Sequence, residues 1–63
     1  MSKIGDFVKK WRKEQGLNRK QAAEHLYCNA ETLRRWELGL SDPTYTMVRV
    51  IHDQTDAEWE DLF

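Results

Sequence analysis

The chain has few of the features that announce a reactive centre. Cysteine occurs once, as Cys28, so no internal disulfide can form. Beside it stand only His25 and His52, and no Cys/His spacing reads as a structural zinc site. A reducing cytoplasm fits that usage best. No apolar run approaches the ~20 residues that a membrane-spanning helix needs. The opening Met1-Ser-Lys-Ile-Gly-Asp is also too polar to begin a signal peptide. Asp42, Asp53 and Asp56 have no base or nucleophile in view, and so short a helical chain leaves little room for a substrate pocket of the usual ~300 Å³ or more. No catalytic residue, metal or cofactor is expected, and no membrane partner.

Charge of one sign is also missing overall, since the 63 residues sum to −1. The balance changes when it is divided. Residues 1–40 carry nine Lys/Arg against five acids, net +4, whereas residues 41–63 carry only Arg49 against six acids, net −5. Such asymmetry suits one face for a polyanion and another turned away from it, although a scattered solvated surface gives the same split. A domain of this length buries only about 60% of its unfolded surface, so its stability must come from helix packing or dimerisation.

Hydrophobic spacing supplies the elements. Ile4, Phe7, Val8 and Trp11 recur at i, i+3, i+4 and i+7, which predicts an amphipathic helix over about Lys3 to Gln15. Ser2 is placed to cap its start, and Gly16 suits the left-handed position past its end. Asn18 stands three residues before Gln21, a capping-box spacing that starts a second helix with Ala22, Ala23 and Leu26 inside. Tyr27-Cys28-Asn29 reads as a turn, with Asn29 capping a third helix from Ala30 to about Leu38, closed by Gly39. Leu40-Ser-Asp-Pro43 is a loop, and Asp42 or Thr44 caps a fourth helix over about Tyr45 to Asp53, with Met47, Val48 and Ile51 inward. Thr55-Asp-Ala-Glu58 matches a second capping box and predicts a last helix over about Asp56 to Leu62. With no strand pattern, the expectation is one compact all-α domain of five helices over residues 1–63.

On the third helix, Thr32, Leu33 and Trp36 point one way, while Ala30, Glu31, Arg34 and Arg35 share the opposite arc. Packing alone does not call for two adjacent arginines beside a small residue and a carboxylate. The plain alternative is a solvated helix face.

These residues together resemble the helix-turn-helix of the Cro and phage-repressor (XRE-type) family. The likeness covers nearly the whole chain. It is carried by Gly16-Leu17-Asn18, by Ala23, Leu26 and Asn29, and by Thr32-Leu33 followed by Arg35-Trp36-Glu37, Gly39 and Pro43. The resemblance implies a lambda-repressor-like fold in which the third helix enters the major groove and the second crosses the backbone. Carried over by position, base reading falls on Ala30, Glu31, Arg34 and Arg35. The chemistry agrees, because arginine pairs with guanine O6 and N7, glutamate accepts from cytosine N4, and alanine touches the thymine methyl. Phosphate contacts are expected from Asn18 and Arg19, and more weakly from Ser41, Thr44 and Tyr45. Arg12 and Glu37 match a structural ion pair of the family. Three positions depart from its pattern. Tyr27 stands where glycine is usual, so either the turn is rebuilt or the tyrosine bears the strain of a positive φ. Ala22 replaces a larger aliphatic residue, which leaves space for Trp11 or Trp36. Arg19 replaces glutamine, which favours phosphate contact over base reading.

Trp59, Leu62 and Phe63 close the core against the first helix, or else stay exposed as a two-fold interface. A homodimer would set two reading helices ~34 Å apart on double-stranded DNA and call for a palindromic operator. The resemblance therefore implies a small phage or prokaryotic repressor acting by promoter occlusion. The rival is a protein-binding adaptor that keeps this fold, favoured by the overall acidity and by Glu31 on the reading arc.

Overall fold

A computed structural model describes residues 3–62. The expected Ser2 cap, and Phe63, lie outside the described residues. Within them are five helices and no strand: α1 (Lys3–Glu14), α2 (Arg19–His25), α3 (Ala30–Glu37), α4 (Tyr45–Thr55) and α5 (Trp59–Leu62). This is the all-α, lambda-repressor-like helix-turn-helix fold expected from the sequence.

The helix starts follow from short side chains that satisfy free N–H groups. Asn18 Oδ1 accepts from the Gln21 N–H at 2.8 Å while Gln21 Oε1 accepts from the Asn18 N–H at 3.0 Å, a complete capping box. Asn29 Oδ1 accepts from the Thr32 N–H at 2.7 Å and opens α3. Of the two candidates for α4, Thr44 is the cap, its hydroxyl accepting from the Met47 N–H at 3.3 Å.

Three successive helices end in the same way. After α1, α2 and α3 the chain makes paired backbone bonds of the Schellman type: Leu17 N–H to Arg12 O, Cys28 N–H to Ala23 O, and Leu40 N–H to Arg35 O, each with a partner bond from the preceding residue that spans three residues instead of five. The motif needs a left-handed residue, and Gly16 (φ 69°) and Gly39 (φ 74°) supply it at the first and third sites. At the second it is Tyr27 (φ 56°). The turn is therefore not rebuilt, and Tyr27 bears the strain, with its ring 73% exposed.

The second expected capping box does not form. Thr55 belongs to α4, where its hydroxyl donates to the Ile51 carbonyl at 2.6 Å, and Asp56 ends that helix in the left-handed region (φ 55°). The last helix starts three residues later than expected. Asp61 Oδ2 reaches back to the Glu58 N–H at 3.3 Å in place of a threonine cap.

Val8, Leu26, Leu33, Ile51 and Leu62 are the largest fully buried side chains, so α1 to α5 each give one of them to the core or flank it. Trp36 lies in the same buried cluster as Ala22, and Trp11 packs on its edge, with its ring set edge-on to exposed His25 at 6.1 Å. Gly5 marks a close approach of two helices. A Cβ built there would overlap the backbone carbonyl of Trp36, so α1 and α3 meet with no side chain between them.

Candidate nucleic-acid interface

The face of α3 that carries Leu33 and Trp36 is buried, as is Glu37 at its end. The opposite arc is open: Glu31 and Arg35 are exposed, Ala30 and Arg34 half-buried. Backbone-on-backbone contact with α1 at Gly5 and packing on α2 seat the helix that carries that arc.

Glu37 anchors the arrangement from inside. Its side chain has no solvent exposure, and Arg12 holds it bidentately, Nε to Oε2 at 2.8 Å and Nη2 to Oε1 at 3.1 Å. Arg12 Nη1 also donates to the Leu17 carbonyl at 3.1 Å, tying α1 to the loop that precedes α2. A second arginine shares the carboxylate. Arg19 Nε donates to Glu37 Oε1 at 3.3 Å, with 38% of its side chain still exposed. The bond between Arg19 and Glu37 was not foreseen, and the sequence holds no local signal for it because the two lie 18 residues apart.

Of the other expected phosphate contacts, Asn18 adjoins this arginine in sequence, and Ser41, Thr44 and Tyr45 lie before and at the start of α4. Asn18 and Thr44 each spend an acceptor oxygen on a helix cap, which leaves the amide and hydroxyl hydrogens as donors, the groups a phosphate needs. Tyr45 is 71% exposed at the start of α4, and Ser41 is half-buried where its N–H meets the Arg35 carbonyl at 3.4 Å.

Outside, Glu31 and Arg34 form a second ion pair. Arg34 Nη2 donates to Glu31 Oε1 at 2.7 Å and Nε to Oε2 at 3.1 Å. The hydrogen bond from Arg34 holds the Glu31 carboxyl below the usual range, with the charges of Arg34, Arg35 and Arg19 adding to it. Arg34 is correspondingly raised by its bond to Glu31. The two base-reading candidates are thus bonded to each other. Arg35 has no ion pair among the described residues.

The terminal trio is divided by the structure. Leu62 is 1% exposed and belongs to the core, so it is not available to the expected interface, because its surface is spent on closing α5 against the rest of the core. Trp59 is 42% exposed, with its ring stacked on His52 at 4.1 Å and 12°. Cys28 is half-buried in the turn, and burial pushes its thiol up, so it stays protonated beyond the usual range. Among the described residues no group of three or more His, Cys, Asp or Glu comes together as a metal site, and no helix is long and apolar enough to cross a membrane.

Two helices joined by a tight turn, the second buried on one face and bearing arginines on the other, define a helix-turn-helix unit. The chain belongs to the Cro/XRE-type helix-turn-helix family, whose model, described as "Helix-turn-helix", matches residues 8–62. It is a DNA-binding transcription regulator. Neither the curated proteins nor the solved structures contain a match to it.

Proposed function

We propose that this regulator is a small repressor of phage or prokaryotic type that reads a specific double-stranded sequence and blocks a promoter by occupying it. The outward arc of α3 carries the reading: Ala30, Glu31, Arg34 and Arg35 stand opposite buried Leu33 and Trp36, on a helix pinned from within by Glu37. Arg35, without an ion pair among the described residues, is suited to guanine O6 and N7. Arg19, Asn18, Thr44, Tyr45 and Ser41 bind phosphates and set the register without reading sequence. The protein works in the cytoplasm as a homodimer on DNA, with exposed Trp59 in the contact between copies and two half-sites about one helical turn, ~34 Å, apart.

Selection from random duplex DNA at physiological salt, followed by sequencing of the bound pool, tests this. An enriched palindrome with one-turn spacing is the expected outcome. A lone half-site removes the dimer, and a pool with no preference whose binding vanishes as salt rises removes sequence reading altogether. Exposed Leu38 (48%) and Leu40 (61%) at the end of α3 support a second reading, a protein-binding adaptor on the same fold, and an unenriched pool favours it.

A further inference from the structure

The fork of Arg34 is already engaged. Glu31 takes Nε and one hydrogen of Nη2 through its two oxygens, at 3.1 and 2.7 Å. What remains on the guanidinium is the end-on edge formed by Nη1 and the second hydrogen of Nη2. Each oxygen of Glu31 still has accepting capacity. The bonded pair therefore presents two donors beside an acceptor on the outer face of α3.

From this geometry we infer that Glu31 and Arg34 read one G·C base pair as a unit, Arg34 donating to guanine O6 and N7 and Glu31 accepting from cytosine N4. The inference rests on the DNA-reading function proposed above and names a base pair for it. In the major groove a G·C pair shows two acceptors and then a donor, the complement of this edge. An A·T pair shows acceptor, donor, acceptor and a methyl group, which sets a donor of Arg34 against the adenine amino group. Phosphates are met differently. Glu31 occupies one of the two bidentate edges of the guanidinium and brings a negative charge to the contact, so the pair is less attractive to a phosphate than a free arginine and discriminates against unspecific DNA as well as for G·C. Both side chains meet solvent, 60% exposed for Glu31 and 40% for Arg34, so water and salt keep the pair weak enough to adjust when a base edge arrives.

The test uses purified full chain, wild type beside Glu31→Ala, Glu31→Gln and Arg34→Ala, each shown to be folded by its circular dichroism melt. Affinities are measured at one salt concentration for the duplex enriched by the wild type, for duplexes with each base pair exchanged in turn, and for an unrelated duplex. For the wild type, one G·C pair is expected whose exchange for A·T costs roughly tenfold or more. With Glu31→Ala that penalty shrinks at this pair alone, and affinity for the unrelated duplex rises. Arg34→Ala must erase the penalty at the same pair, and Glu31→Gln must retain part of it. The inference is overturned if Glu31→Ala leaves every penalty unchanged, if it weakens all duplexes alike, or if the two residues act at different base pairs. A wild type with no enriched sequence overturns the function beneath it as well, and the two failures are told apart by the wild-type selection alone.

Discussion

Glu31 and Glu37 lie on one helix, both grip arginine, and do opposite work. Glu37 has no exposed side-chain surface and holds Arg12 and Arg19, whereas Glu31 is 60% exposed and holds Arg34. An ion pair taken out of water needs its partner, since the loss of one member strands a charge in a poorly solvated place. A pair left in water is nearly free to dissolve and re-form. The same chemistry thus gives α3 a fixed inner face and an exchangeable outer one.

The sharpest break in that contrast is Glu37→Ala. It leaves Arg12, whose side chain is 15% exposed, without its carboxylate, and is expected to cost about 3 kcal/mol or more, a large part of the stability of so small a domain. Urea unfolding followed by circular dichroism reads this directly, and a loss under about 1 kcal/mol would make the pair no more than a surface contact. Arg19→Ala lies between the two faces. Its stability loss should stay at or below about 1 kcal/mol, because Arg12 keeps its bidentate hold on Glu37. Its larger effect belongs to DNA, where all duplexes weaken alike and the slope of log affinity against log salt flattens by about one. A change confined to particular sequences would move Arg19 from phosphate to base contact.

The smallest effect is a matter of pH. Glu31 is held below the usual carboxylate range by its hydrogen bond from Arg34. The folded value is therefore below the unfolded one, and the contribution of the pair is whole above the unfolded carboxylate pKa and is lost as pH falls through the depressed value of Glu31. Carboxyl NMR should show the Glu31 midpoint rising towards the ordinary range in Arg34→Ala. An unmoved midpoint would mean that the two are not bonded in solution.

Local chemistry carried most of the fold into view. Asn18 with Gln21, Asn29 before α3, and Gly16 and Gly39 after α1 and α3 are satisfied within a few residues of themselves, and such features can be read from spacing. Thr55 misled because Thr-x-x-Glu describes a cap only if the preceding helix has already stopped. Here α4 runs on to Thr55, and its hydroxyl turns back to the Ile51 carbonyl. Gly5 gave no signal, since a glycine in a helix looks the same whether it faces water or the Trp36 carbonyl. In the candidate interface the arc of α3 followed from its helical period, but the spacing of Glu31 and Arg34 at i, i+3 was read as two separate base contacts rather than one bonded pair. Arg19 on Glu37 depends on how α2 crosses α3, which no local pattern encodes.

The meeting of α1 and α3 at Gly5 bears on how such a regulator diversifies. Backbone rests on backbone there, so this seat of α3 does not depend on side-chain size on its outer arc. Positions 30, 31, 34 and 35 take no part in that contact. Under the proposed function, substitutions at these four positions would change what the outer face of α3 recognises while the contact that seats the helix stays as it is.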